Sequence, residues 1–184
     1  MITKKVKQFV EDECKKPSSK YGYEPFPYHF APMVKYATKL ADELKADKEI
    51  VIVAGWLHDI GSIIYGRENH HITSAKVAEK LLKKLNYPVD RIERVKNCIL
   101  NHRGSVKNKC VSLEEKIISD ADAMSNFDNI SGIFKAALVY EKMDQGEAKL
   151  SVRNKLKNKW QQLNFDKSKE MIRPRYEAAM LLLK

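Results

Sequence analysis

The chain has 184 residues, which suits one domain, and a hydrophobic fraction of 43% can supply a core. A charged fraction of 32% excludes a disordered chain, and no apolar stretch approaches the roughly 20 residues of a membrane-spanning helix. The net charge of +10 would attract nucleic acid, an anionic membrane surface or a phosphorylated small molecule.

The first seven residues contain neither the apolar core nor the cleavage site of a secretory signal, so we expect a cytoplasmic protein. Helical spacing of apolar residues begins after them, at Met33, Ala37, Leu40, Ala41 and Leu44. The uncharged segment 51–57 follows and predicts a helix that is buried on all sides. Gly61, Gly66 and Asn69 then predict a loop over residues 61–71.

The same three- and four-residue spacing continues in the second half of the chain. It predicts helices through Ala78, Leu81, Leu82 and Leu85, through Ile92, Val95 and Ile99, and through Ile130, Ile133, Phe134, Ala137 and Leu138. Ser112 and Glu115 form a capping-box pattern that opens a helix to about Met124. Pro174 lies near the start or at a kink of the last helix. We therefore predict an all-α fold in one compact domain spanning residues 1–184.

The histidines lie where helices end. His29, His58, His71 and His102 each precede or follow an inward-facing apolar stripe, and Asp59 adjoins His58. A single histidine on an apolar face is usually a core residue bonded to backbone. Several histidines with an adjacent carboxylate favour a shared metal ion, as in helical bundles with ligands on facing helices. Spacing alone leaves both interpretations open.

These residues resemble the HD-domain metal-dependent phosphohydrolases. The ordered pattern is His29, then His58-Asp59-Ile60-Gly61, then Asp122 in an Asp-Ala-Met segment. His70-His71-Ile72-Thr73 and Asn101-His102-Arg103-Gly104 resemble the two further histidine motifs of subgroups that bind two metals. The resemblance covers about residues 29–124, and it implies a small, stand-alone HD-type bundle that helices within residues 126–184 complete.

The resemblance also implies a ligand set. His29, His58, Asp59 and Asp122 correspond to the first metal site, and Asp59 corresponds to the carboxylate that bridges to a second metal. His71 and His102 correspond to the ligands of that second metal. We favour His71 over His70 because the residues after His71 match the spacing into the next helix. Periodicity does not choose between Asp120 and Asp122, and only the resemblance favours Asp122.

Imidazole and carboxylate ligands suit Fe, Mn, Zn, Co or Ni, so we expect one or two divalent ions. Mg²⁺ suits four imidazoles less well, although a site with a single metal could use it. The expected reaction is hydrolysis of a phosphomonoester or phosphodiester, of a nucleotide or related small molecule, by metal-activated water. His58, Asp59 and Arg103 would carry it, and Arg67 is a second candidate for contact with phosphate.

Two alternatives remain. The same ligand set fits the di-iron oxygenases of this superfamily. A non-catalytic nucleic-acid-binding or regulatory module would use the positive charge, which is densest at Lys149, Arg153, Lys155, Lys157 and Lys159. These cations interrupt an apolar stripe, so we interpret them as the solvated face of an amphipathic helix. We expect a phosphorylated small-molecule substrate and no membrane partner, and we do not favour nucleic acid.

Overall fold

A computed structural model describes residues 1–102 and 110–184, and these residues contain helices and no strand. The helices are α1 (Ile2–Lys15), α2 (Ala31–Leu44), α3 (Lys48–Leu57), α4 (Ile60–Tyr65), α5 (His70–Lys84), α6 (Val89–Asn101), α7 (Leu113–Ser125), α8 (Ile130–Lys135), α9 (Gln145–Gln161) and α10 (Asp166–Leu182). Two π-helical turns, Phe26–Phe30 and Ala136–Tyr140, extend α2 and α8. The predicted all-α fold is confirmed. The single-domain boundary, 1–184, stays a prediction.

Helix α3 forms the centre of the bundle. It packs against α1, α2, α6 and α7, and every residue from Val53 to Leu57 is buried. Gly55 lets α2 approach closely, because a Cβ there would lie 3.1 Å from the Val34 side chain. The uncharged part of α3, residues 51–57, is surrounded by other helices, which explains why it carries no polar face. The prediction of a segment buried on all sides is confirmed except at Ile52, which is half-buried.

Side-chain caps begin several of the helices. Asp47 accepts from the Ile50 nitrogen at the start of α3, and Ser112 accepts from the Glu115 nitrogen at the start of α7. The predicted N-cap at Ser112 is confirmed, although Glu115 accepts its bond from the Val111 nitrogen instead of the Ser112 nitrogen. Asp144 begins α9 with a full capping box.

The prediction of a loop over residues 61–71 was wrong for most of its length. Residues 60–65 form α4, and α5 already begins at His70. The reason is that Gly61 provides close helix contact instead of a turn. A Cβ on Gly61 would collide with Thr73 Oγ1 and lie 2.6 Å from the Ser74 nitrogen, so the absence of a side chain lets α4 pack on the first turns of α5.

The last helices lie against α7. Ala148, Val152 and Leu156 of α9 are buried, and Pro174 falls inside α10. Within the described ranges no single helix has both the length and the apolar composition of a membrane span, and only the bent pair Lys48–Tyr65 with His70–Lys84 reaches them together.

Candidate metal centre

Two chain segments bring the first group of ligands together. His29 lies in the π-helical turn that precedes α2, and such turns often occur at functional sites. His58 and Asp59 lie at the break between α3 and α4. The Nε2 atoms of His29 and His58 are 3.0 Å apart, and Asp59 Oδ2 lies 3.7 Å from His29 Nε2 and 3.9 Å from His58 Nε2. These atoms are close enough to share one ion.

Asp122 completes this first group from α7. Its Oδ1 atom lies 3.7 Å from His29 Nε2 and 3.8 Å from His58 Nε2. A carboxylate from a third element therefore faces the same point as the two imidazoles.

A second group forms on the other oxygen of Asp59. His70, the first residue of α5, places Nε2 3.1 Å from Asp59 Oδ1, and His102, directly after α6, places Nε2 3.5 Å from the same atom. These three residues also satisfy the distances of a shared ion. Asp59 thus contributes one oxygen to each group, which is the arrangement of a bridging carboxylate.

The outer nitrogen of each imidazole is already used. Nδ1 of His58, His70 and His102 lies 2.8, 2.8 and 2.6 Å from the carbonyl oxygen three residues earlier, to which it can only donate. His29 Nδ1 lies 3.1 Å from Ser125 Oγ, whose own hydrogen goes to the Asp122 carbonyl. Hence His29 also donates. In their neutral forms, all four rings therefore present an Nε2 lone pair to the centre.

This convergence of acceptors fits a cation. Four imidazole lone pairs and two carboxylates meet at a point where each of them needs a positive partner. Asp59 Oδ1 is buried, and no donor of suitable geometry among residues 1–102 and 110–184 reaches it. A buried acceptor without a donor is unfavourable unless a positive charge satisfies it. The donor set of nitrogen and oxygen, without sulfur, matches divalent transition metals.

The pKa values follow the same geometry. Burial disfavours the charge on Asp59, but the imidazoles around it outweigh burial and hold its pKa well below the usual range. Burial likewise opposes ionisation of Asp122, and Lys159 and the histidines outweigh it and lower the pKa. Burial lowers the pKa of His58 to about 4. Burial also opposes the charge on His102, but Asp59 more than offsets it and raises that pKa.

The second group contains His70, where the sequence favoured His71. The α5 helix starts at His70, with Asn69 before it in the left-handed region at a φ of +48°. Gly61 packs against the His70 carbonyl and the Thr73 side chain, which holds this first turn over Asp59. His71 does not line the central cavity, and its ring contacts that of His70 edge to face at 5.9 Å between centroids. The structure brings His70 rather than His71 to Asp59 because the helix begins one residue earlier than the pattern predicts, and the choice of metal ligand between the two stays a prediction.

The choice between Asp120 and Asp122 has a structural answer. Asp120 accepts bonds from the Asn164 nitrogen at 2.8 Å, the Asn164 amide at 2.7 Å and the Phe165 nitrogen at 3.1 Å. It therefore ties α7 to the start of α10 and does not face the ligands. Both carboxylates are buried on one helix, which is why periodicity could not separate them.

A large cavity opens over the ligands. Its volume is about 960 Å³, and it is lined by His29, Asp59, His70, His102 and Asp122. Arg67 also lines it, as the sequence suggested, while Arg103 lies outside the described residues. This volume lies at the upper end of those of ordinary small-molecule sites.

The sequence did not reveal that α9 forms one wall of the cavity. Lys159 donates to Asp122 Oδ2 at 2.8 Å, and Lys155 lines the cavity, so the interpretation of this segment as a solvated face is wrong for these two residues. The polar cavity-lining residues of α9 and its C-terminal end recur with helical spacing, at Ser151, Asn154, Lys155, Asn158, Lys159 and Gln162. This stripe of polar and basic residues without an acidic member was the sequence pattern that could have indicated a cavity wall.

Comparisons with known proteins match this geometry. Residues 28–126 match the family model described as HD domain. A tRNA (cytidine(56)-2'-O)-methyltransferase of Picrophilus torridus is 28% identical over 139 residues, which are 68% of this chain and 38% of that protein. The chain therefore spans well under half the length of that relative.

Solved structures resemble the whole described bundle. Bacillus subtilis YpgQ in complex with ADP has a TM-score of 0.73 at 19% identity, covering 98% of this chain and 92% of that one. An HD-superfamily hydrolase of Bacillus thuringiensis has a TM-score of 0.73 at 18% identity, covering 98% and 92%. At these identities the likeness establishes the fold.

Proposed function

Because this chain belongs to the HD-domain family, we propose that it is a metal-dependent phosphohydrolase acting on a phosphate ester of a nucleotide or related small molecule. The observation that carries the proposal is the convergence of four imidazole Nε2 atoms and two carboxylates, each imidazole fixed from behind through Nδ1. Fixed outer bonds orient ligands and set their tautomer before a metal arrives.

His29, His58, Asp59 and Asp122 would hold one divalent ion, and Asp59, His70 and His102 a second. Bound there, divalent ions supply an activated water near neutral pH and polarise a phosphoryl oxygen. The protein contributes orientation: the backbone carbonyls of Gly55, Arg67 and Ile99 hold three rings in place. Lys159 holds Asp122 Oδ2 and leaves Oδ1 beside His29 and His58, where it would serve as a ligand.

The cavity supports a small-molecule substrate. Arg67, Lys155 and Lys159 line it, so its wall favours an anion. Aromatic rings lie at its edge, where Tyr21 and Tyr140 contact edge to face at 5.9 Å between ring centroids. Such rings suit a flat ring system. YpgQ, which has a similar fold, was solved in complex with ADP, and this supports a nucleotide as the substrate here.

The test is metal analysis of protein purified without chelator, followed by assay of nucleotides and phosphate esters with Mn, Mg, Fe and Co. We expect metal-dependent phosphate release that falls at least ~100-fold in Asp59→Asn, above the loss typical of outer-shell partners. Asp90→Asn, an exposed carboxylate on α6, is the matched control. Full turnover by folded Asp59→Asn would contradict the proposal. Oxygen consumption by iron-loaded protein, without phosphate release, would favour the oxygenase alternative.

A second candidate is RNA binding. The relative from Picrophilus torridus is named for a reaction on tRNA, and the present chain carries a net charge of +10. Binding of tRNA that weakens steeply with salt, without turnover of any phosphate ester, would support this candidate over the first.

A further inference from the structure

One face of α9 forms a wall of the cavity. Its six lining residues, the polar stripe from Ser151 to Gln162, each carry a hydrogen-bond donor, and none of them is acidic. The adjacent face of the same helix holds Ala148, Val152 and Leu156 in the core. The helix therefore presents donors and positive charge toward the ligand cluster. This wall lies outside residues 28–126, the part that matches the HD model.

Two cations that line the cavity differ from Lys159, which is committed to Asp122 at 2.8 Å. No carboxylate oxygen among the described residues lies within 4.0 Å of the charged nitrogens of Lys155 or Arg67. Burial, and then the charge of Arg67, lowers the pKa of Lys155 to about 8. Both positive groups line the same cavity, and an anion bound there would offset the charge of each.

Arg67 is held beside the ligands by its own backbone. Its carbonyl accepts the Nδ1 hydrogen of His70 at 2.8 Å, in a short connection bounded by Gly66 at a φ of +100° and Asn69. Arg67 is exposed and lines the cavity, so its guanidinium can meet a ligand there. A planar fork and a flexible ammonium together suit a phosphoryl group.

We propose that Arg67 and Lys155 bind a second, non-transferred phosphoryl group of the substrate, so that the protein selects substrates with at least two phosphoryl groups. The proposal rests on the proposed function, since it presumes that the transferred group lies at the ligand cluster. It assigns the cations on α9 and before α5 to substrate selection rather than to the reaction.

The test measures binding by calorimetric titration of the metal-loaded protein, with phosphate release followed in parallel so that only titrations completed before turnover are compared. Two probe pairs differ by one phosphoryl group: AMP with ADP, and fructose 6-phosphate with fructose 1,6-bisphosphate. We expect the member with two phosphoryl groups to bind at least ~10-fold more tightly, the size of one charge-assisted hydrogen bond. That preference should fall about tenfold in Lys155→Gln and in Arg67→Gln, the latter keeping the carbonyl that holds His70.

Lys157→Gln is the matched control, because Lys157 lies on α9 and does not line the cavity. Thermal melts establish that each variant folds. Equal affinities within both pairs, or an equal loss for both members of a pair, would overturn the proposal, since the cations would then act as general attraction. Preserved discrimination without phosphate release from any ester would refute the proposed function and leave the anion site standing. Phosphate release without discrimination would do the reverse.

Discussion

Separate alanine substitutions of two neighbouring histidines, His70 and His71, test the metal centre most directly. His70 Nε2 lies 3.1 Å from Asp59 Oδ1, while His71 lines no part of the cavity. His70→Ala leaves the second group with Asp59 and His102 alone. We expect it to lose one metal equivalent, whereas His71→Ala should keep both.

The size of the effect follows from what is removed. Loss of an outer-shell partner typically weakens metal affinity 10–100-fold, and a direct ligand should cost at least the upper limit. A ~100-fold loss corresponds to about 2.8 kcal/mol at about 1.4 kcal/mol per tenfold. The Arg67 carbonyl also loses the donor that it receives at 2.8 Å, which adds roughly 1 kcal/mol to the cost in stability.

The assay is metal content per chain after desalting, together with Mn²⁺ titration of each variant. Thermal melts control for unfolding. Metal loss in His71→Ala with retention in His70→Ala would show that the spacing-based choice of His71 was right and that His70 is not the ligand. Retention of both equivalents in His70→Ala would remove the second ion from the proposed function.

Three other predictions address the support of the centre. Asp120→Ala should lower the melting temperature and keep the metal, because three nitrogen donors near the start of α10 lose their acceptor, whereas Asp122→Ala should lose metal; melting curves and metal content separate the two, and metal loss in Asp120→Ala would contradict the assignment. Gly61→Ala should lower the free energy of unfolding by about 1–3 kcal/mol through overpacking against α5, which corresponds to a fall of roughly 2–12 °C in melting temperature. The control Gly146→Ala, at an open helical position, should not destabilise the protein. Equal melting temperatures of the two variants would contradict the close contact at Gly61. Mn²⁺ affinity should fall by up to about tenfold per pH unit as the pH drops through the raised pKa of His102, because metal binding must displace the proton on that ring. His58, with a pKa of about 4, stays neutral over this range. Equal Mn²⁺ affinity at about pH 8 and about pH 6 would contradict the reasoning.

Much of the helical bundle could be predicted from the sequence because burial of one helix face gives apolar residues a spacing of three and four. The uncharged segment through Ala54 had to be central, and Ser112 had to cap a helix, since each is a local consequence of sequence. The ligand residues His29, His58, Asp59 and His102 were named from order and resemblance, and the structure brings them within a few ångströms.

What could not be predicted depended on contacts between distant segments. A glycine after Asp59 resembles a turn in isolation, and only the approach of α5 reveals that it serves helix packing. That same approach decides between His70 and His71. Asp120 and Asp122 are both buried on α7, and their roles differ only because Asn164 meets one and His29 the other. Local periodicity carries no information about such partners.

The position of α9 places part of the proposed anion site outside the segment that supplies the candidate metal ligands. The matched HD segment, 28–126, contains the histidines and both carboxylates, so it can specify where metals bind. It contributes Arg67 to the proposed anion site, but Lys155 comes from beyond it, as does Lys159, which pairs with Asp122. Because the apolar stripe of α9 fixes the helix in the core, its polar stripe can change without unfolding the bundle. Selection of the substrate can therefore evolve on this face while the ligand set stays constant. Exchanging the cavity-facing residues of α9 other than Lys159, which holds Asp122, should alter preference among phosphate esters more than metal content.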